Sequence, residues 1–154
     1  MLKGACMFTG HRVIPKSRHS DLCKKLWDVL HALYDDGVRT FIAGGALGFD
    51  TLSAQAVLEL KKIYPDVKLN LCLPCRDQDK MWNTLNRERY RNILSLADEI
   101  LYVSDKYTST CMHERNRKMV ESATFCIAFL EKDTGGTAYT VNYALSKGLT
   151  VIRI

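Results

Sequence analysis

The chain predicts a single three-layer α/β domain, residues 1–154, in which a mainly parallel sheet of about six strands carries helices on both faces. Three observations lead there. Short β-branched or aromatic runs alternate with helix-period segments along the whole chain. Glycine-rich or polar turns, TGHR, GGALGFD and DTGGT among them, follow the strands directly. No linker, repeat or low-complexity stretch interrupts the alternation, and 154 residues suffice for one domain with its own core.

Taken in order, Lys3 to Phe8 reads as the first strand and runs into Thr9-Gly10-His11-Arg12. A loop with Pro15 leads to Ser17 or Ser20 as a cap, and Leu22, Leu26, Val29, Leu30 and Leu33 form a helical stripe that Gly37 closes. Thr40 to Ala43 is a buried strand. Gly44, Gly45 and Gly48 turn the chain, Asp50 or Thr51 caps the next helix, and Leu52, Ala56, Leu60 and Ile63 form the face expected on the sheet. Val67 to Leu73 alternates apolar and polar residues as a half-exposed edge strand does. After a polar stretch from Cys75 to Asn83, holding Trp82, a helix runs to about Ala97 with Leu85, Tyr90, Ile93, Leu94 and Ala97 inward, and Glu99 to Val103 is a strand. Met112 to Ala123 reads as a helix, Thr124 to Leu130 as an apolar interior strand, Ala138 to Lys147 as a helix closed by Gly148, and Leu149 to Ile154 as a last strand.

Composition narrows the function classes. With 47% hydrophobic and 25% charged residues, the chain is ordinary for a globular protein, and no apolar run approaches a membrane span. The start, MLKGACMF, lacks a hydrophobic signal region, and Met1 to Phe8 already reads as a strand, which argues for a cytoplasmic protein. Four of the six cysteines sit in apolar strand or helix patterns, as reduced cysteines do. Cys72 and Cys75 have CxxC spacing but no second pair, so no metal site and no cofactor are read from them. The net charge of +5 is dispersed, and Arg87, Arg89 and Arg91 read as a solvated helix face, which argues against a nucleic-acid partner.

In a parallel sheet, the turns after the strands meet on one rim, where ligands of such folds bind. A strand-to-helix turn aims free N–H groups and the positive end of the helix dipole at one spot, suited to a phosphate or another anion. GGxxG is neither the dinucleotide fingerprint nor a P-loop, so a purely structural tight turn is the alternative.

Here the residues become recognisable. MHERN (Met112 to Asn116) followed by DTGGTAYTVN (Asp133 to Asn142) resembles the MHERK and PGGxGTxxE pair of the Lonely Guy phosphoribohydrolases. Those belong to a Rossmann-like superfamily, SLOG, that also includes the DNA-processing protein DprA. The set of TGHR, GGALGFD, the proline followed by Asp77-Gln78 and Trp82, Arg115-Asn116 and GGT resembles the YpsA-like family of that superfamily more closely, over essentially the whole chain. The resemblance implies a Rossmann-like fold and a nucleotide-type ligand. It implies that Arg115, with Asn116 beside it, contacts the phosphate or sugar of that ligand, and that Gly135, Gly136 and Thr137 form the phosphate-holding turn. Where the phosphoribohydrolases carry a glutamate that works on the N-glycosidic bond, this chain has Asn142, and a carboxamide is neutral and a poor base.

Asp50 or Glu114 could supply the carboxylate, though for Asp50 capping its own helix is the competing role. Arg12 and His11, with Thr9 and Gly10, offer a phosphate clamp or a loop salt bridge. Trp82 offers a stacking surface or a local hydrophobic anchor. The leading expectation is a binder or sensor of a mononucleotide or ADP-ribose-like ligand. The alternatives are a nucleoside 5′-monophosphate phosphoribohydrolase using Arg115 with Asp50 or Glu114, and single-stranded DNA binding as in DprA. A homodimer through helix Asn83 to Ala97 is expected by analogy alone.

Overall fold

A computed structural model of the chain describes residues 4–154. The elements alternate as β1 (Cys6–Gly10), α1 (Lys16–Asp35), β2 (Thr40–Ala43), α2 (Phe49–Ile63), β3 (Lys68–Leu73), α3 (Thr84–Leu96), β4 (Glu99–Tyr102), α4 (Cys111–Glu121), β5 (Phe125–Phe129), α5 (Gly136–Ser146) and β6 (Thr150–Arg153). Every strand pairing is parallel, in the order β4-β3-β2-β1-β5-β6. This is the three-layer Rossmann-like α/β architecture that the alternation predicts.

The period of two along the strands divides the core into two layers. Cys6, Phe8, Ile127 and Phe129 join the layer under α1, α2 and α3, which also holds Leu22, Leu26, Phe49, Val57 and Tyr90. Met7, Cys126 and Ala128 join the layer under α4 and α5, with Met119, Val120, Val141 and Ala144. The chain builds outward from β1 to the β4 edge, and α4 then carries it back across the opposite face to β5, beside β1. The reversal leaves its crevice at the carboxyl ends of β1 and β5.

Several local expectations change. The first strand begins at Cys6, so Thr9 and Gly10 belong to the strand; the Met1 to Lys3 part of that reading lies outside the described residues. Helix α1 begins at Lys16 behind Pro15, with no side-chain cap from Ser17 or Ser20. Helix α2 takes Gly48 as its N-cap, not Asp50 or Thr51. Its buried stripe is Phe49, Ser53, Val57 and Leu60, while Ile63 is exposed at its last turn. In α3, Tyr90 and Ile93 are buried and Leu85 is exposed. Helix α5 starts two residues early, at Gly136, which draws the glycine pair into the helix start.

The largest change concerns β3, which is interior, hydrogen-bonded to β2 and β4. Its alternation reports a half-covered face instead of an edge. Leu69, Leu71 and Leu73 are sealed under the three-helix layer, whereas Lys68 and Asn70 face the side that two helices cover incompletely. The edges are β4, whose Ile100 and Leu101 are 40% and 47% exposed, and β6.

Candidate functional site

A cavity of about 300 Å3 opens where β1 and β5 end, at the reversal of strand order. Its walls come from four segments separated in sequence: Phe8 to Arg12 at the end of β1 and just past it, Ala46 and Asp50 around the start of α2, Met112, Arg115 and Asn116 of α4, and Lys132 with Thr134 to Thr137 leading into α5. The cavity gathers cationic Arg12, Arg115 and Lys132 against a single carboxylate, Asp50.

Arg115 is the anchor of this arrangement. It is only 5% exposed, and its guanidinium donates to the Gly44 carbonyl, to Asn116 Oδ1 from Nε at 2.7 Å and to Met112 Sδ at 3.7 Å. A guanidinium held on several sides loses little freedom when it meets an anion, which favours bidentate recognition. Gly44 makes room for it: a Cβ there would stand 2.7 Å from Arg115 Nη1 and 2.8 Å from Asp50 Oδ2.

Asp50 sits in the first turn of α2, 7% exposed, and accepts the Ala46 N–H at 3.2 Å. Thr51 Oγ1 donates to the Ala46 carbonyl at 2.9 Å, so the two residues expected to cap the helix instead hold the N–H and the carbonyl of one residue in the preceding turn. Burial pushes the Asp50 carboxyl up from the ordinary carboxylate value, and Arg115, the Ala46 N–H and Arg12 pull it down without restoring it. A carboxyl of that kind can hold a proton beside a bound anion.

The remaining glycines divide by role. Gly10 is packed under the Phe49 ring, with no room for a Cβ, and Gly48 (φ +78°) lies against the Arg12 carbonyl. Gly45 (φ +73°) is covered by Leu73, Gln78 and Tyr90. None of Gly44, Gly45 and Gly48 lines the cavity; they shape the turn that lets Ala46 and Asp50 do so. Around Gly135 (φ +96°) and Gly136, by contrast, no atom would meet an added Cβ within 4 Å. Their backbone is open to the cavity at the N-terminus of α5.

His11 joins two walls: its Nε2 accepts the Glu131 N–H at 2.9 Å and its ring meets Phe129 edge-on at 5.5 Å. Trp82 is outside the cavity, edge-on to Tyr90 at 5.2 Å. Glu114 is exposed and accepts from Thr110 Oγ1 at 2.8 Å, and Asn142 is exposed on α5; neither lines the cavity. The lining residues absent from the sequence expectations are Phe8, Ala46, Met112, Lys132 and Thr134. Lys132 and Thr134 had a signal, since they lie between the end of β5 and the glycine pair. Five of the six cysteines are buried and all are free. Among the described residues no group of three or more His, Cys, Asp or Glu is placed to hold a metal, and no helix is long and apolar enough to cross a membrane.

Comparisons with known proteins agree with the fold. The prophage SPβ-derived protein YoqJ of Bacillus subtilis (strain 168) is 34% identical over 116 residues, which cover 68% of each chain. Among solved structures, DNA processing protein A (DprA) of Streptococcus pneumoniae superposes with a TM-score of 0.69 at 17% identity, covering 97% of this chain and 50% of that one. The DprA of Helicobacter pylori, described for its single-stranded DNA binding mode, matches equally at 0.69 and 17%, covering 97% of this chain and 64% of that one. At that identity the likeness is one of fold, and this chain spans only half to two thirds of those chains. The family profile for YpsA, described as the YspA SLOG family, matches residues 15–150, and the chain belongs to that family.

Proposed function

We propose that the protein is a binder of a nucleotide-derived ligand, a mononucleotide or an ADP-ribose-like molecule, whose phosphate sits between Arg115 and the Gly135-Gly136-Thr137 turn. The observation that carries this reading is the buried Arg115 guanidinium beside an open helix N-terminus in one cavity. Arg12 and Lys132 add positive charge at the same place.

Gly136→Ala tests it cleanly. An added methyl meets no protein atom and Gly136 needs no positive φ, so the fold survives while the methyl occupies the anion's place. A thermal-shift panel of AMP, ADP-ribose, NAD and ribose 5-phosphate should raise the melting temperature of the wild type and not of the variant. Equal shifts in both, or none with any compound, refute the reading.

Asp50 favours a second reading, hydrolysis of a nucleoside 5′-monophosphate to base and ribose 5-phosphate. It is the one carboxylate on the cavity wall, and its raised pKa suits a group that exchanges a proton during the reaction. Free base released by the wild type and not by Asp50→Asn establishes this reading; no release at high protein concentration removes it. Single-stranded DNA binding, ascribed to the H. pylori neighbour, would appear as oligonucleotide affinity that falls steeply with salt.

A further inference from the structure

Arg12 borders two cavities. On the other flank of its loop it lines a second one, of about 310 Å3, where Gly48 and Thr51 at the start of α2 meet His19 of α1 and Arg89 of α3. Amide side chains of Gln55 and Asn86 complete the wall, and no Asp or Glu belongs to it. Arg12 and Arg89 make no ion pair among the described residues. Four of the other arginines are ion-paired: Arg18 with Glu131, Arg39 with Asp66, Arg76 with Asp105 and Arg87 with Asp79. Two unpaired guanidiniums in a concave wall without carboxylates concentrate positive potential there, and planar guanidinium suits phosphate oxygens.

We propose that this second cleft is a subsite for a second anionic group of the ligand, which therefore extends across Arg12 and carries a pyrophosphate bridge or a second phosphate. The proposal rests on the nucleotide reading of the rim cavity and adds the ligand's length to it. Size agrees: the rim cavity alone stands at the lower bound of ligand pockets, roughly 300–1,000 Å3, and the second cleft doubles it. The residues that set the longer specificity are Arg89, His19 and Gln55, none of which lines the rim cavity.

Calorimetric titration of AMP and ADP-ribose into the wild type and Arg89→Ala tests this. Arg89 is exposed on α3, so the variant folds. ADP-ribose should bind the wild type about tenfold tighter than AMP or better, the worth of one charge-assisted contact. Arg89→Ala should abolish that advantage and leave AMP affinity unchanged. An intact advantage, or an equal loss for both ligands, overturns the proposal. Inorganic pyrophosphate, followed through the arginine Nε–H signals by NMR, separates the two cavities. A shift at Arg89 supports the subsite even where AMP does not bind and the rim reading has failed. A shift at Arg115 with none at Arg89 overturns the subsite and leaves the rim reading standing. An oligothymidylate that binds tighter than ADP-ribose with the same dependence on Arg89 makes the occupant a nucleic-acid strand and overturns the small-molecule assignment.

Discussion

At the amino-terminal end of the sheet, Arg39 donates to Asp66 Oδ2 at 2.8 Å, lies 3.8 Å over the Tyr34 ring and also reaches the Tyr34 carbonyl. Lys61 donates to Asp98 Oδ1 at 2.6 Å, and the Leu69 N–H takes the other oxygen at 2.8 Å. At the carboxyl-terminal end, Arg12 and Lys132 border a cavity without an ion pair among the described residues, and Arg115 is held by a carbonyl, an amide and a thioether. Both ends use the same residue types. One end closes its charges on each other and so fastens strands to helices; the other also holds the pairs Arg18–Glu131 and Arg76–Asp105, but its cavity leaves Arg12, Arg115 and Lys132 converging on shared space, an arrangement that the proposed anion would complete.

Electrostatics differ in sign as well. Burial alone would raise Asp98, but the bonds from Lys61 and the Leu69 N–H, with Lys61 and Lys68 charge, outweigh it and hold its carboxyl below the ordinary value. For Asp50, burial wins over Arg115 and the Ala46 N–H. A carboxyl with a lowered native pKa adds stability above the unfolded pKa and loses it as pH falls through the native one. A carboxyl with a raised native pKa does the reverse: its contribution is complete below the unfolded pKa and fades as pH rises through the native one.

The strongest way to break this comparison is at Gly48. If the rim glycines are there to let loops approach closely, Gly48→Ala should cost about 3 kcal/mol, from a left-handed non-glycine residue and from displacing the Arg12 carbonyl. Chemical denaturation reads this directly, and an unchanged midpoint would mean the turn is not held by packing. Next comes Asp98→Ala, which should lose about 2 kcal/mol near neutral pH for its charge-assisted bonds. The gap from wild type should close in acid as Asp98 protonates; a constant gap would mean the residue acts by shape alone. The smallest effect is expected at Asp50→Asn, which keeps an acceptor for the Ala46 N–H. Its stability should stay within about 1 kcal/mol of wild type, with the variant gaining on wild type as pH rises. A loss of several kcal/mol at neutral pH would show that Asp50 and Arg115 are a closed pair like those at the other end.

Much of the candidate cavity was legible because its motifs follow parallel strands. Arg12, Asp50, Arg115, Asn116 and the Gly135 to Thr137 turn reach one cavity from four distant stretches. Sequence alone could not tell Gly44 from Ala46, or Glu114 from Arg115. In each pair the two residues are at most two positions apart, and the phase of a turn or helix decides which one meets the cavity. Lys132 was passed over because the charged run Glu131-Lys132-Asp133 carries no period. Nor could sequence separate β3 from an edge strand, since a bare sheet face and a bare sheet edge leave the same alternating pattern.

The sequence by itself determined the order of elements, the parallel sheet and the rim on which the turns converge, because periods of two and 3.6 and glycine punctuation are local properties of the chain. Tertiary structure alone decided which turn residues became walls and which became packing. Phe49 over Gly10, the Arg12 carbonyl on Gly48 and the Arg115 guanidinium on the Gly44 carbonyl are contacts between segments far apart in sequence. Where a cavity opens depends on how such segments fill space against one another, and that is a property of packing that no local pattern encodes.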